Sequence, residues 1–166
     1  MSQETIDKRG TLNHIRLTVS DIPHAERFYT PIAAHMGYRL VERSETRLSF
    51  AGMTGYGNLH FLILSVSRGP EAHPHDRYSP GLHHIAWNAV SRADVDAMYA
   101  LLLEHGVTIL DPPADYDYEP GYYAVFFADP DGMKLEYVYV PAAGSAVYLE
   151  LFEALGPNPL ARVQRS

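Results

Sequence analysis

The chain has 166 residues, 46% of them hydrophobic, and a formal charge of −7, enough for one ordinary domain or two small modules that share a core without staples. It contains no cysteine, which excludes disulfides, thiolate catalysis and cysteine-ligated metals. The acidic balance speaks against nucleic acid, whose phosphates demand a basic face, while nine histidines leave nitrogen donors for a metal.

The polar start, MSQETIDKRG, has no apolar segment after its basic residues. Residues 1–11 therefore read as a leader and not as a secretory signal. The runs AMYALLL (97–103) and YYAVFFA (122–128) fall far short of the ~20 residues of a membrane span, so a cytoplasmic protein with no membrane partner is expected.

LNHIRLTV (12–19) alternates apolar and polar residues, as a half-buried strand does. Ile22, Ala25, Tyr29, Ile32, Ala33 and Met36 then recur at helical spacing, with Asp21 placed to cap the helix and Pro23 in its first turn. Pro31 inside this pattern predicts a kink or a split, and Gly37 an end. Three strands follow, YRLVE (38–42), RLSFA (47–51) and LHFLILSV (59–66). The segment 67–81 is rich in turn formers and reads as a linker loop.

The order then begins again. LHHIAWNA (82–89) predicts a strand, and SRADVDAMYALLLEHG (91–106) a helix with Ser91 and Asp94 in capping-box positions and Gly106 at its end. VTILD, YYAVFFA and KLEYVYV supply three strands, the last two joined by the turn DPDG (129–132). The tail 141–166 holds an amphipathic helix candidate, SAVYLELFEAL (145–155).

Superposing the halves puts His14 on His84 and Tyr29 on Tyr99, each 70 residues on, and Gly37 on Gly106. SFA (49–51) falls on FFA (126–128), and LHF (59–61) on LEY (135–137) at a shift of 76. Five anchors in one order indicate a tandem βαβββ duplication, with modules at 12–66 and 82–140. His14 and His84 then hold equivalent positions, as do His60 and Glu136, and all four converge if the halves pack about a pseudo-twofold axis. A lone carboxylate in KLEYVYV is costly to bury unless it is paired or binds a cation.

HIRLTVSD, RFYTPIAAHMGY, HHIAW and FFADPDGMKLEY resemble the vicinal oxygen chelate superfamily, which includes glyoxalase I, extradiol dioxygenases and bleomycin-binding proteins. The resemblance spans about residues 12–140. It implies an α+β fold in which two βαβββ modules form a cupped mixed sheet around a divalent metal. Position by position, it implies His14, His84 and Glu136 as metal ligands, with His60 as the fourth. His60 departs from the Glu or Gln usual there.

Donors of this kind, without sulfur, suit Zn, Ni, Mn or Fe. Such an ion holds two adjacent oxygens of a small substrate and stabilises an enolate or oxyanion. In the glyoxalase-like lyase or isomerase that the resemblance suggests first, Glu136 is the base that moves a proton alpha to a carbonyl. The alternatives are an extradiol-type Fe(II) dioxygenase and a metal-free protein that sequesters a small molecule. His83 should point to the other face of its strand from His84, as a structural or supporting residue. HPHD (73–76) is a weak metal tract on a loop. Tyr116, Tyr118, Tyr122 and Tyr123 offer an apolar body with a polar tip and could line a pocket mouth, though each taken singly reads as ordinary packing at a tyrosine-rich edge. The apolar side of the tail helix suits a neighbouring surface, so a homodimer is expected.

Overall fold

The computed structural model describes residues 10–55, 57–69, 73–142, 146–154 and 156, with positions 147–149 described by backbone alone. Most of the expected leader therefore lies outside the described residues. The first half runs β1 (His14–Val19), α1 (Ile22–His35), β2 (Arg39–Arg43), β3 (Arg47–Met53) and β4 (Leu59–Val66). The second repeats it as β5 (His84–Asn88), α2 (Arg92–Glu104), β6 (Thr108–Asp115), β7 (Tyr123–Ala128) and β8 (Lys134–Tyr139), and α3 (Ala146–Ala154) follows. Each half forms a four-stranded mixed sheet, ordered β1-β4-β3-β2 and β5-β8-β7-β6. In each, the first strand lies parallel to the last and the other pairs are antiparallel. The fold is α+β, built from two βαβββ modules.

The helix ends show why the same local sequence recurs. The Asp21 carboxylate accepts the His24 N–H at 2.7 Å, and Ser91 Oγ accepts the Asp94 N–H at 3.1 Å. Each thereby satisfies a donor that the helix itself leaves orphaned. Gly37 (φ +81°) and Gly106 (φ +64°) follow the two C-terminal turns. Beyond them, Tyr38 N–H reaches Ala33 O at 2.8 Å and Val107 N–H reaches Leu102 O at 2.9 Å, the closure that a left-handed residue permits.

Two expectations need correction. Pro31 does not split α1, which runs from Ile22 to His35 as one helix. Phe28, Tyr29, Ile32 and Ala33 are buried on both sides of it, and at ~1.5–3 kcal/mol per large apolar side chain their packing outweighs the ~3 kcal/mol of an interior proline. The strand expected at 107–111 continues as β6 through Pro112 and Pro113 to Asp115. It is the edge strand, and its pairing with β7 slips on both sides of Asp111, which is where proline is tolerated in a sheet.

Each helix covers one face of its own sheet. Leu17, Val19, Leu48, Phe50, Leu62 and Leu64 are buried on the α1 side, and Ile85, Val125, Phe127, Leu135 and Tyr137 on the α2 side. His14, Arg16 and Thr18 alternate with Ile15, Leu17 and Val19, so they occupy the face opposite α1. By the same alternation His84, Glu136 and Phe126 lie opposite α2.

Residues up to His75 together with Asp129–Gly132 make one compact unit, and Asp76–Ala128 with Met133 onward the other. The turn expected to belong to the second module thus docks with the first. Asp129 accepts the buried Tyr29 hydroxyl at 2.7 Å, and Asp131 Oδ2 accepts the Ser20 N–H at 2.9 Å. The Asp131 carbonyl takes the His75 N–H at 2.7 Å. Burial, and then the Asp129 charge, hold the Tyr29 hydroxyl well above its ordinary pKa. Among the described residues, no helix is long and apolar enough to cross a membrane.

Candidate metal centre

Strand pairing decides which expected site residues are equivalent. Arg16 pairs with Ile63, and Ala86, its counterpart 70 residues on, pairs with Glu136. Ser49 likewise pairs with Ile63, and Phe126, 77 residues on, pairs with Glu136. The counterpart of Glu136 is therefore Ile63, not His60. The shift between the last strands is 73, and the expected match of LHF on LEY at 76 is corrected.

His60 shares its side of β4 with Leu62 and Leu64, the side that α1 covers. Its Nε2 lies 2.8 Å from the Tyr38 hydroxyl, and its ring meets the Tyr38 ring edge-on at 5.1 Å. His14 occupies the opposite face, exposed, with Nδ1 2.8 Å from Asn13 Oδ1. The two histidines of the first sheet are not brought together. Room for the His60 ring comes from Gly52, where a Cβ would stand 2.8 Å from His60 Nε2 and from Tyr38 Cε1. Gly52→Ala should therefore cost about 1–2 kcal/mol in urea unfolding; an unchanged midpoint would show that the ring is not seated there.

The second sheet does gather its pair. His84 and Glu136 lie on one face, and His84 Nε2 is 3.1 Å from Glu136 Oε2. Glu136 is 1% exposed, and its other oxygen accepts the Tyr122 hydroxyl. Burial and the Glu136 charge push the Tyr122 hydroxyl well above its ordinary pKa, so it remains a donor. His83 Nδ1 stands 2.7 Å from His84 Nδ1, where it holds the ring from behind.

Beside the pair runs an aromatic wall. The Tyr116 and Tyr118 rings stack at 5.7 Å, and Tyr122 meets them edge-on at 6.4 and 5.2 Å. Phe126 closes it, edge-on to Tyr116 at 5.2 Å, with Lys134 Nζ 3.9 Å from its ring centre. Tyr123 stands apart, donating to Asp96 at 2.7 Å beneath the Arg92 guanidinium. Tyr122, which taken singly reads as packing in the sequence, is the tyrosine that meets the candidate pair. The signal was its even number, shared with Phe126, across a hairpin whose register places Phe126 opposite Glu136.

Among the described residues no three His, Asp or Glu side chains are gathered closely enough to hold a metal ion. The pair His84–Glu136 does fit two donors on one ion. One imidazole nitrogen and one carboxylate oxygen stand 3.1 Å apart, and these are the donor types that divalent ions take. A ligating imidazole held at its other nitrogen, as His83 holds His84, is the usual supporting arrangement.

The comparisons agree with the fold. Residues 11–137 match the family model of the Glyoxalase/Bleomycin resistance protein/Dioxygenase superfamily. The uncharacterized protein YqjT of Bacillus subtilis (strain 168) is 31% identical over 132 residues, which is 76% of this chain and 97% of that protein. A solved structure from Bacillus halodurans superposes with a TM-score of 0.67 at 25% identity, covering 80% of this chain and 98% of that one. The glyoxylase/bleomycin resistance protein/dioxygenase domain from Frankia sp. EAN1pec gives 0.63 at 23% identity, over 80% and 98%. A family match that takes in both βαβββ modules, with a relative aligned over nearly its whole length, places this chain in the glyoxalase/bleomycin resistance protein/dioxygenase superfamily.

Proposed function

We propose that this protein is a divalent-metal-dependent enzyme of the glyoxalase-like type, acting on a small substrate that offers two neighbouring oxygens. The observation that carries the reading is Glu136, a carboxylate 1% exposed whose two oxygens meet an imidazole and a phenol. Such burial is costly and is what a cation would repay. His84 and Glu136 would hold the ion, and His14, the counterpart of His84 on its own sheet, is the third donor that the family implies. His60 is left out, because it serves the helix side of its sheet. The bound ion would polarise the substrate oxygens and stabilise negative charge on them.

The chain's own residues supply the rest. Glu136 is the base for a proton alpha to a carbonyl, and the Tyr122 hydroxyl keeps one of its oxygens oriented. His83 holds His84 by its outer nitrogen. Phe126 and Tyr116, with the exposed Tyr118 stacked on the latter, form an aromatic wall beside the carboxylate.

One observation favours a second reading, an extradiol-type dioxygenase. With His60 on the helix side, the remaining donors are two histidines and one carboxylate, the set that non-haem Fe(II) oxygenases use. We also read the protein as a cytoplasmic homodimer. Leu151 and Phe152 of α3 are exposed at 56% and 74% and suit a second copy; sedimentation at micromolar concentration should show the dimer.

Metal content of the purified chain is the first test. Near one equivalent of Zn, Ni or Mn, with solvent-deuterium exchange at the alpha carbon of a hydroxyketone, supports the isomerase. Iron with oxygen uptake on catechols supports the dioxygenase. Less than a tenth of an equivalent, with no rise in melting temperature on adding any of the four metals, leaves a binding protein. His84→Ala should abolish the metal content, and full retention would overturn the ligand assignment.

A further inference from the structure

The face opposite α1, which also carries His14, holds beyond it a cleft that the metal reading does not use. A cleft of about 680 Å3 is lined by Arg16, Thr18, Thr46, Arg47, Ser65, Val66 and Arg68. Register explains the grouping. Thr18 pairs with Ser65 on one side, and Arg47 pairs with Ser65 on the other. The three form a row across β1, β4 and β3, with side chains on one face. Strand spacing sets the ends of the row about 10 Å apart. Arg16 sits one step back along β1 on the same face, and Arg68 lies just beyond β4.

Three guanidinium groups are thus collected in a chain whose net charge is −7. The carboxylate beside them is Glu42, whose Oε2 lies 3.3 Å from Arg47 Nε and also accepts the Ser49 hydroxyl at 2.8 Å. Among the described residues, that one paired carboxylate does not neutralise three guanidinium groups. Arg47 Nε is buried, and its ion pair with Glu42 lacks hydrogen-bond geometry, so this carboxylate satisfies the guanidinium poorly. Arg16, which lines the cleft, spends its Nε on Ser65 Oγ at 3.0 Å and leaves the Ser65 hydroxyl hydrogen to donate. Guanidinium forks beside hydroxyl donors are the chemistry that grips an oxyanion, and the volume suits a small molecule.

We propose that this cleft is a binding site for the oxyanion head, carboxylate or phosphate, of a small acidic molecule. Arg16 and Arg47 grip the anion, and Ser65 and Thr18 orient it. The site lies wholly within the first unit and does not rest on the metal assignment.

Backbone amide shifts of the full-length chain, with and without EDTA, test it during titration with inorganic phosphate and, separately, with acetate, each against sodium chloride of equal ionic strength. Saturable shifts at Thr18, Arg47 and Ser65 are expected for one or both anions, and the tighter of the two identifies the source. Arg16→Gln or Arg47→Gln should weaken binding about tenfold or more, and Arg16→Lys should recover part of it. Ser65→Ala, which removes no charge, should cost roughly threefold and serves where an arginine variant does not fold. His84→Ala should leave the titration unchanged, which separates this site from the metal centre. Shifts that rise linearly, that chloride reproduces, or that survive Arg16→Gln and Arg47→Gln would overturn the proposal.

Discussion

Glu136→Gln should move the metal-free and the metal-loaded protein in opposite directions. In the metal-free chain the substitution removes a charge that is 1% exposed, keeps the shape, and keeps an oxygen for the Tyr122 hydroxyl. Burial of a carboxylate is costly, and His84, the partner left behind, is 35% exposed, so no uncompensated buried charge is created. A gain of up to about 1 kcal/mol is expected. The metal-loaded chain instead loses a ligand. Supporting residues around a metal already cost 10–100-fold in affinity when removed, so losing the ligand should cost at least ~100-fold. Thermal melts with and without Zn or Ni read both effects, because a metal bound only to the folded state raises the midpoint. An identical metal-induced rise in the variant would remove Glu136 from the ligand set.

Asp129→Ala should destabilise the fold by about 3 kcal/mol. The carboxylate takes the Tyr29 hydroxyl at 2.7 Å and the Asp131 N–H at 2.9 Å. Hydrogen bonds to a charged group contribute ~1.5–3 kcal/mol, and a buried hydroxyl left without a partner adds a desolvation cost. Tyr29 is 1% exposed, so water cannot replace the lost acceptor without a rearrangement. Tyr29→Phe alone should cost about 1–2 kcal/mol. The double variant should fall short of the sum by at least ~1 kcal/mol, since both changes remove one interaction. Urea unfolding of the four proteins closes the cycle; strict additivity would show that the pair does not act together.

The parts of this structure that follow from local rules were legible in the chain. Alternation in HIRLTV marked a strand with one covered face, and Asp21, Ser91, Gly37 and Gly106 marked helix ends through hydrogen bonds that span a few residues. His84 and Glu136, which the fold brings within 3.1 Å, were legible as a candidate pair because a histidine and a lone carboxylate stood out in apolar strands. His60 was misassigned for the converse reason. LHFLILSV is apolar on both faces, so periodicity cannot say which side His60 takes. The pairing of Leu17 with Leu64 does say, and pairing is not written in either strand by itself. Tyr122 and the path of β6 through Pro112 and Pro113 depended on the same kind of distant register.

The docking of Asp129–Gly132 onto the first unit has a consequence for biosynthesis. A ribosome adds ~5–20 residues per second, so it delivers residue 129 roughly 3–11 s after residue 75. Throughout that interval the nascent first module lacks the acceptors for Tyr29, Ser20 and His75. It waits as an unfinished intermediate, and its completion is timed by translation of its sister.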